Sequence, residues 1–459
     1  MPPSGARNPI DTLSAPLLRA VFSLLPADQR ARCACVCRGW HQTLDDPALW
    51  LRLDLSETSG VTCDVTGAAL LAAAARARGR LESLNVTYWW DVETPALLSV
   101  VQANAETLHE LRTLELSAPF TDRNELALDS AATLLAAAPA LRVVEATLRC
   151  TGTAVRRLFR REPPFQPLRL RRLALFWDEA DDMSLLFPSV MAEIRDHASL
   201  KHLGLFLTDE VEPRMVDLAL DAAASLCLES LDLTSCDLTP AAAPALVRLL
   251  RSTTMRELTV HNEGIGGVLV LDAAAAALLA PVLRTNCTLH NLNLVNIRLW
   301  VDVDAATFLL GALTGHASLR ALNLSENDFK TEAAREAAGA ALGALVAANA
   351  PALERLVLSD CNLRDAGVGP LVAALAANTH LSELYLHYNH LSASFATQQL
   401  LPALLANSSL RKLEAGDLHS DDSDPDFQNA QLLMRTAVEF VHAREAVRSA
   451  IEAAARGGA

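Results

Sequence analysis

The sequence predicts an α/β solenoid, with short parallel strands on a concave face, helices on the convex face and an all-α segment at the N-terminus. Three observations support this prediction. A leucine pattern of the form L-x-x-L-x-L returns about every thirty residues from Leu81 onward. Alanine-rich stretches with helical periodicity lie between its copies, and residues 10–53 do not follow the pattern. One repeat of this size cannot bury its own apolar face, so the copies must stack.

Composition limits the class of protein and its surroundings. Hydrophobic residues make up 51% of the 459 residues, enough for a continuous core, yet no apolar run reaches the roughly 18 residues of a membrane span. The net charge of −15 argues against nucleic acid as a partner. Nine cysteines are too sparse for a disulfide framework, and residues 1–9 are expected to be disordered without forming a secretory signal. We therefore expect a cytoplasmic or nuclear protein with no membrane partner.

Residues 10–53 carry apolar side chains at helical spacing. Ser14 can cap a first helix that runs to about Leu25, Asp28 opens a second, and a third ends near Trp50. So small a bundle cannot hide all of its apolar side chains, which predicts a partner surface or docking on the first repeat. The residues expected to contact a partner are Leu13, Leu17, Leu18, Val21, Phe22, Leu25, Val36, Cys37, Trp40 and Trp50.

This segment resembles an F-box. The resemblance rests on L-x-x-x-L-L-x-x-V-F-S-x-L from Leu13, on V-C-R-x-W from Val36 and on D-P-x-L-W from Asp46. Two positions depart from the family pattern: Ser14 stands where proline is usual, and Gln29 stands where leucine is usual. The resemblance implies that the apolar set binds the Skp-type adaptor of a cullin-RING ubiquitin ligase.

Residues 54–418 contain about twelve copies of the leucine pattern. Clear copies begin at Leu81, Leu111, Leu200, Leu228, Leu289, Leu319, Leu353, Leu381 and Leu410, and degenerate ones at Leu141, Leu170 and Met255. The best copies continue as L-x-x-L-x-L-x-x-N-x-L, with Asn327 and Asn389 in place, while Cys236 and Cys361 take the asparagine position. This region resembles the leucine-rich repeat family, in its longer, helix-containing class. The asparagine is expected to satisfy buried backbone groups where the chain turns.

The two resemblances together imply a substrate-recognition subunit of an SCF-type ubiquitin ligase. Its partners would be the Skp-type adaptor, a cullin through that adaptor, and an unknown target protein bound by the repeats. Such a receptor has no catalytic residues, and no metal-ligand motif or cofactor motif occurs in the sequence. Two alternatives remain open: a leucine-rich-repeat scaffold or inhibitor, and a GTPase-activating protein, since one such family is also built on these repeats.

Aromatic and histidine side chains lie at or just beyond the ends of the predicted strands. Residues that alternate with the strand leucines face the concave side, where large side chains with polar tips favour recognition. The candidate target-binding residues are Trp90, Phe176, Trp177, Phe206, His261, Tyr385, His387 and Tyr388. The alternative is that several of them fill turns between irregular repeats.

Three further segments complete the chain. Arginines crowd into residues 156–172, either as a dock for an acidic or phosphorylated segment or as a solvated helix face and loop. Residues 419–428 are acidic and predict a linker. Residues 429–459 are amphipathic and predict a helix that covers the open core of the last repeat.

Overall fold

The computed structural model describes two compact units, residues 1–202 and 203–459. The described residues are 13–25, 27–55, 67–86, 94–115, 138–149 without 139 and 142, 171–176, 183–206 without 198, 213–234, 240–262, 271–415 and most positions between 429 and 451. Each unit contains parallel strands that follow sequence order. The predicted α/β leucine-rich-repeat fold with an N-terminal helical segment is confirmed.

The first unit opens with three short helices and continues into strands separated by helices. The helices are α1 Ala15–Ser23, α2 Ala27–Cys33, α3 Arg38–Leu44, α4 Gly67–Ala75, α5 Thr94–Ala103 and α6 Met183–Arg195. A 3-10 turn, Pro47–Trp50, leads into the first strand. The strands are β1 Arg52–Asp54, β2 Ser83–Val86, β3 Glu110–Glu115, β4 Val143–Arg149 and β5 Arg172–Phe176. Leu53, Leu84 and Leu111 are register partners across β1, β2 and β3, so the pattern leucines stack in one buried column.

The second unit repeats the same alternation with greater regularity. After β6 His202–Phe206, which begins at the unit boundary, the strands are β7 Ser230–Thr234, β8 Glu257–His261, β9 Asn291–Val295, β10 Ala321–Asn323, β11 Arg355–Val357, β12 Glu383–Tyr385 and β13 Lys412–Glu414. The helices are α7 Pro213–Ser225, α8 Ala243–Leu250, α9 Ala273–Thr285, α10 Val303–Leu313, α11 Glu332–Ala347, α12 Arg364–Leu375, α13 Ala393–Phe395 and α14 Leu401–Ala406. A π turn, Ala396–Leu400, joins the last two.

Strand leucines form the core of the second unit. Leu231, Leu258, Leu292, Leu322, Leu356, Leu384 and Leu413 are successive register partners and all are buried. Removing one leucine side chain from water contributes about 2 kcal/mol, and each column leucine contacts the equivalent residue of its neighbours. The degenerate copy at Met255 follows the same arrangement, because Met255 is buried ahead of β8.

Asparagine side chains form hydrogen bonds with backbone groups that would otherwise be unpaired at the turns. Asn389 is fully buried, and its amide nitrogen donates to the carbonyls of Leu358, Leu386 and His387 at 2.7, 3.1 and 3.2 Å. Cys361 takes the same position with a weaker donor, its sulfur lying 3.2 Å from the Leu324 carbonyl. Burial raises the pKa of the Cys361 thiol to about 12, so it stays protonated as a donor.

A second asparagine position, which the sequence pattern did not reveal, lies at the turn from helix to strand. Asn378 accepts hydrogen bonds from the amides of His380 and Leu381 and donates to the carbonyl of Val346 in the preceding repeat. Asn286 and Asn407 make the equivalent contacts. These three repeats are therefore each tied to the previous one by a side-chain hydrogen bond to its backbone.

His316 takes this asparagine position in one repeat. Its Nδ1 accepts from the amides of Ser318 and Leu319 at 3.3 and 3.1 Å, and the ring is buried. Acceptance requires the neutral ring, since a protonated Nδ1 would face two N–H donors. Burial lowers the pKa of His316.

The C-terminal helix packs on the last repeat and pairs its backbone carbonyls through an arginine, where other repeats use an asparagine. The described residues between 429 and 451 are helical, with Ala437 and Val441 buried. The guanidinium of Arg444 donates to the carbonyls of Leu404, Asn407 and Leu410. Asn407 itself donates to the carbonyls of Leu375 and Asn378, which are the corresponding groups one repeat earlier. Arg444 thus pairs backbone carbonyls of the last repeat, as the asparagine of a following repeat would.

We expect Arg444→Gln to lower the free energy of unfolding by about 2–4 kcal/mol, because it leaves backbone carbonyls of the last repeat unpaired. The measurement is a urea titration followed by circular dichroism. Arg435→Gln is the matched control, since Arg435 is 79% exposed and pairs only with Glu439 on the surface. Equal losses in the two variants would contradict the role given to Arg444.

We expect His316→Asn to make the fold less sensitive to acid. The lowered pKa of His316 means that the unfolded chain takes up the proton first, so stability falls as the pH drops below about 6.5 and continues to fall through the lower native value. Asparagine accepts the same two amides without titrating. The measurement compares urea midpoints at pH 7.5 and 5.5. An unchanged pH dependence in the variant, matching that of the exposed-residue control His41→Asn, would contradict this expectation.

Candidate functional site

Helix α1 presents two apolar stripes, one facing inward and one facing solvent. Leu18, Phe22 and Leu25 recur at i, i+4 and i+7, and Phe22 is only 2% exposed. Leu17, Val21 and Leu24 have the same spacing one residue earlier and are 52%, 43% and 84% exposed. The sequence showed both stripes but not which one faces inward, and Leu24 was missing from the predicted contact set.

Two predicted contact residues are interior residues of the helical segment. The Phe22 ring packs edge-on against Trp40, with 5.3 Å between ring centroids. Trp50 is 0% exposed, and its indole Nε1 donates to the Leu44 carbonyl at 2.7 Å. Phe22 and Trp50 are therefore wrong as surface contacts, because the helices need these two rings to fill their own core.

The remaining predicted contacts lie at or near the surface. Val36 is 63% exposed in the turn after α2, and Cys37 is exposed at the start of α3. Leu13, Leu18, Leu25 and Trp40 are half-buried. Together with the outward stripe of α1, which we call the α1 stripe (Leu17, Val21 and Leu24), these side chains form an apolar surface without a cover among the described residues.

Cations hold this helical segment against the first repeat. The guanidinium carbons of Arg30 and Arg76 lie 5.1 and 4.7 Å from the centre of the Trp50 ring, and Arg76 follows helix α4. Burial lowers the pKa of Arg30. The guanidinium of Arg78 lies 2.7 Å from a carboxylate oxygen of Asp45. The cation–π contacts of Trp50 thereby link the helical segment to the first repeat.

The second candidate surface is the strand face of the second unit. Along each strand the pattern leucines point into the core and the alternating side chains point out. On β11, β12 and β13 the outward positions hold Arg355, Glu383 and Lys412 in one cross-strand row and Val357, Tyr385 and Glu414 in the next. His387 and Tyr388 follow directly after β12.

The polar groups on β11–β13 are joined in one network. Arg355 Nε lies 2.7 Å from Glu383 Oε2, which also accepts from the Tyr385 hydroxyl at 2.9 Å. Lys412 Nζ lies 2.6 Å from Glu414 Oε1 and 4.9 Å from the centre of the Tyr385 ring. His387 Nε2 lies 2.8 Å from the other oxygen of Glu414. We call these six residues the β12 cluster: Arg355, Glu383, Tyr385, His387, Lys412 and Glu414.

The charges of the β12 cluster are held in their ionised states. The hydrogen bond from Arg355 lowers the pKa of Glu383, and those from Lys412 and then His387 lower the pKa of Glu414. The same contact with Glu414 raises the pKa of Lys412. The cluster therefore presents alternating fixed charges around an oriented tyrosine ring, an arrangement suited to recognising a protein surface.

The structure brings together only some of the predicted target-binding residues. Tyr385, His387 and Tyr388 are half-buried neighbours, with 6.1 Å between the His387 and Tyr388 rings. His261 and Phe206 are half-buried on β8 and β6, apart from the cluster. Trp90 and Trp177 lie outside the described residues, as do residues 156–170 of the arginine segment, the side chain of Phe176 and the acidic linker. The charged members of the cluster were missed because their pairing depends on strand register.

No group of three or more histidine, cysteine, aspartate or glutamate side chains within the described part of the chain could hold a metal ion. None of the helices in those ranges combines the length and apolar character needed to cross a bilayer.

Two protein families match parts of the chain. The family described as F-box-like matches residues 15–56, which span the three short helices, the 3-10 turn and β1. The family described as leucine-rich repeat matches residues 224–247 and 350–372.

Curated relatives match parts of the chain. The chain is 32% identical over 222 residues to ribonuclease inhibitor of Sus scrofa, covering 48% of this chain and 46% of that protein. It is 30% identical over 250 residues to ribonuclease inhibitor of Mus musculus, covering 48% and 52%. It is 31% identical over 165 residues to NACHT, LRR and PYD domains-containing protein 5 of Mus musculus, covering 35% and 13%. The chain thus spans about half the length of the ribonuclease inhibitors that it matches.

Solved structures with lower identity resemble the chain over most of its length. The yeast complex of Rad7 and Elc1 aligns with a TM-score of 0.45 at 13% identity, covering 90% of this chain and 91% of that one. The leucine-rich repeat-containing protein LegL7 from Legionella pneumophila aligns with a TM-score of 0.34 at 13% identity, covering 83% and 96%. By its family matches and its own geometry, this chain carries an F-box-like domain at residues 15–56 followed by leucine-rich repeats.

Proposed function

We propose that this protein is the substrate-recognition subunit of an SCF-type, cullin-RING ubiquitin ligase. The F-box-like domain binds a Skp-type adaptor, the adaptor links it to a cullin, and the leucine-rich repeats bind the target protein. The observation that supports this proposal most directly is the exposed α1 stripe, because it lies within the segment that matches the F-box-like family.

The α1 stripe has the properties of a contact surface. Leu17, Val21 and Leu24 expose much of their apolar area although the domain has a filled core around Phe22 and Trp50. Burial of such side chains by a partner contributes roughly 1.5–3 kcal/mol each at full burial. Three apolar residues on one face of α1, with Val36 also exposed on the same small domain, give an adaptor a hydrophobic anchor.

The proposed role requires positioning and no chemistry by this chain. A ligase receptor holds its target near the ubiquitin-conjugating enzyme and so raises the effective concentration of the acceptor lysine. A loose tether would lower that concentration. The contacts of Trp50 with Arg30 and Arg76, and of Arg78 with Asp45, oppose such looseness in the first unit. The role places the protein in the cytoplasm or the nucleus.

A second candidate is a leucine-rich-repeat scaffold or inhibitor that works without a ligase. The observation that favours it is the identity of 32% and 30% with two ribonuclease inhibitors. The F-box-like match and the α1 stripe have no role in that function. Inhibition of a pancreatic-type ribonuclease by the purified chain, in the absence of adaptor binding, would favour this candidate.

We expect Leu17→Glu to weaken adaptor binding at least tenfold, because a carboxylate would replace an apolar side chain within the α1 stripe. The measurement is isothermal titration calorimetry of the full chain with a purified Skp-type adaptor. Position 17 is preferred to Phe22, whose replacement by a charged residue would unfold the domain core.

The matched control is Leu405→Glu, at a leucine with 61% exposure on helix α14. It makes the same chemical change outside the F-box-like domain, and we expect unchanged adaptor binding. If the unmodified chain binds no adaptor, or if Leu17→Glu binds as tightly as the unmodified chain, the ligase proposal is wrong and the scaffold candidate remains.

A further inference from the structure

One side-chain row runs along the edge where helices lead into the strands of the second unit. Its members occupy the residue immediately before β7, β8, β9, β10 and β11, and they are Glu229, Arg256, His290, Arg320 and Glu354. Each amide in the row donates to the carbonyl of the previous member, at 2.8, 2.7, 2.7 and 2.9 Å in order. The five side chains are thus neighbours at the strand spacing of about 4.8 Å.

The three central members are two arginines on either side of a histidine, and we call them the Arg256 row: Arg256, His290 and Arg320. Arg256 and Arg320 are exposed, and neither guanidinium has an ion-pair or hydrogen-bond partner among the described residues. His290 is half-buried, and its Nδ1 lies 2.5 Å from the Thr288 carbonyl, which makes Nε2 the nitrogen available to a ligand. The two unpaired guanidinium groups form a donor set suited to an oxyanion.

The chain around the Arg256 row is cationic in a protein of net charge −15. The turns that carry it, residues 251–256, 284–290 and 314–320, contain no aspartate or glutamate. They add Arg251 and Arg284, both exposed. These turns therefore carry four exposed arginines, and the nearest carboxylate on β8, that of Glu257, accepts a hydrogen bond from Asn291.

A glutamate stands at each end of the Arg256 row. Glu229 precedes Arg256 and Glu354 follows Arg320, so the cationic stretch is about 10 Å wide, two strand spacings. A nucleic-acid surface makes on the order of six to ten phosphate contacts, and this stretch has room for one or two. The charge pattern, negative at the ends and positive in the middle, fits a single phosphate with basic residues on either side.

We propose that the Arg256 row binds a phosphorylated serine or threonine in an extended segment of the target protein, with basic target residues meeting Glu229 and Glu354. This inference rests on the proposed function, since it names the class of target. Glu229 and Glu354 are about 19 Å apart, four strand spacings, and an extended peptide advances about 3.3 Å per residue. The basic residues therefore stand about three positions before and after the phosphorylated residue.

The test is fluorescence polarisation with a labelled peptide, Lys-Ala-Ala-phosphoserine-Ala-Ala-Lys, and the full chain at an ionic strength of 0.15 M. We expect binding at least tenfold tighter than that of the same peptide with unmodified serine. Arg256→Ala combined with Arg320→Ala should weaken phosphopeptide binding at least tenfold. Arg195→Ala combined with Arg435→Ala, two exposed helix arginines, makes the same change in net charge and should leave binding unchanged.

A charge exchange tests the flanking contact. Glu354→Lys should weaken binding of this phosphopeptide and strengthen binding of a version that carries glutamate at its C-terminal end. Equal binding of the phosphorylated and unmodified peptides would overturn the inference, as would equal losses in the two double variants. Tighter binding of a twelve-nucleotide single-stranded RNA than of the phosphopeptide would assign the row to nucleic acid instead and also overturn it.

Adaptor binding measured on the same preparations separates the two proposals. The double variant Arg256→Ala/Arg320→Ala should keep full adaptor affinity and the urea midpoint of the unmodified chain. If the phosphopeptide fails to bind while the adaptor binds, only the inference about the target class is wrong. If the adaptor fails to bind while the phosphopeptide binds through the Arg256 row, the ligase proposal is wrong and the phosphate site remains.

Discussion

Backbone carbonyls at the end of one repeat are paired by an asparagine of the next at three places in the second unit, and this contact between neighbours underlies the rest of the structure. Asn378 donates to the carbonyl of Val346, and Asn407 donates to that of Leu375. The buried leucine columns have the same property, because a single strand and helix cannot close a core alone. Stability therefore resides in contacts between neighbouring repeats, and the last repeat needs a substitute, which Arg444 provides.

Because the leucine and asparagine positions stabilise the fold, other positions in each repeat are available for recognition. The leucine side chains form the core and the asparagine side chains pair backbone groups at the turns. The side chains at the outward strand positions and at the residue before each strand do neither. The β12 cluster and the Arg256 row lie at these free positions. In the helical segment, Phe22 and Trp50 fill the interior, which leaves the α1 stripe available to another protein.

The fold could be predicted from the sequence because the leucine pattern is periodic. The candidate sites could be predicted only in part. Leucine spacing located most strands, including the one after the degenerate copy at Met255. It could not separate the inward stripe of α1 from the outward one, since Phe22 and Val21 are adjacent and both apolar. The Arg355–Glu383 contact and the Arg256 row join residues about thirty positions apart, so they appear only when the register between strands is known.

The substitution of Arg444 for a missing asparagine has an evolutionary consequence. A duplicated repeat placed upstream of the last one would bring both its own carbonyl acceptors and its own amide donor, and the terminal helix could remain as it is. Insertion or deletion of one repeat is therefore compatible with the same capping helix. Each such event would shift the outward strand positions beyond it by about 4.8 Å, one strand spacing.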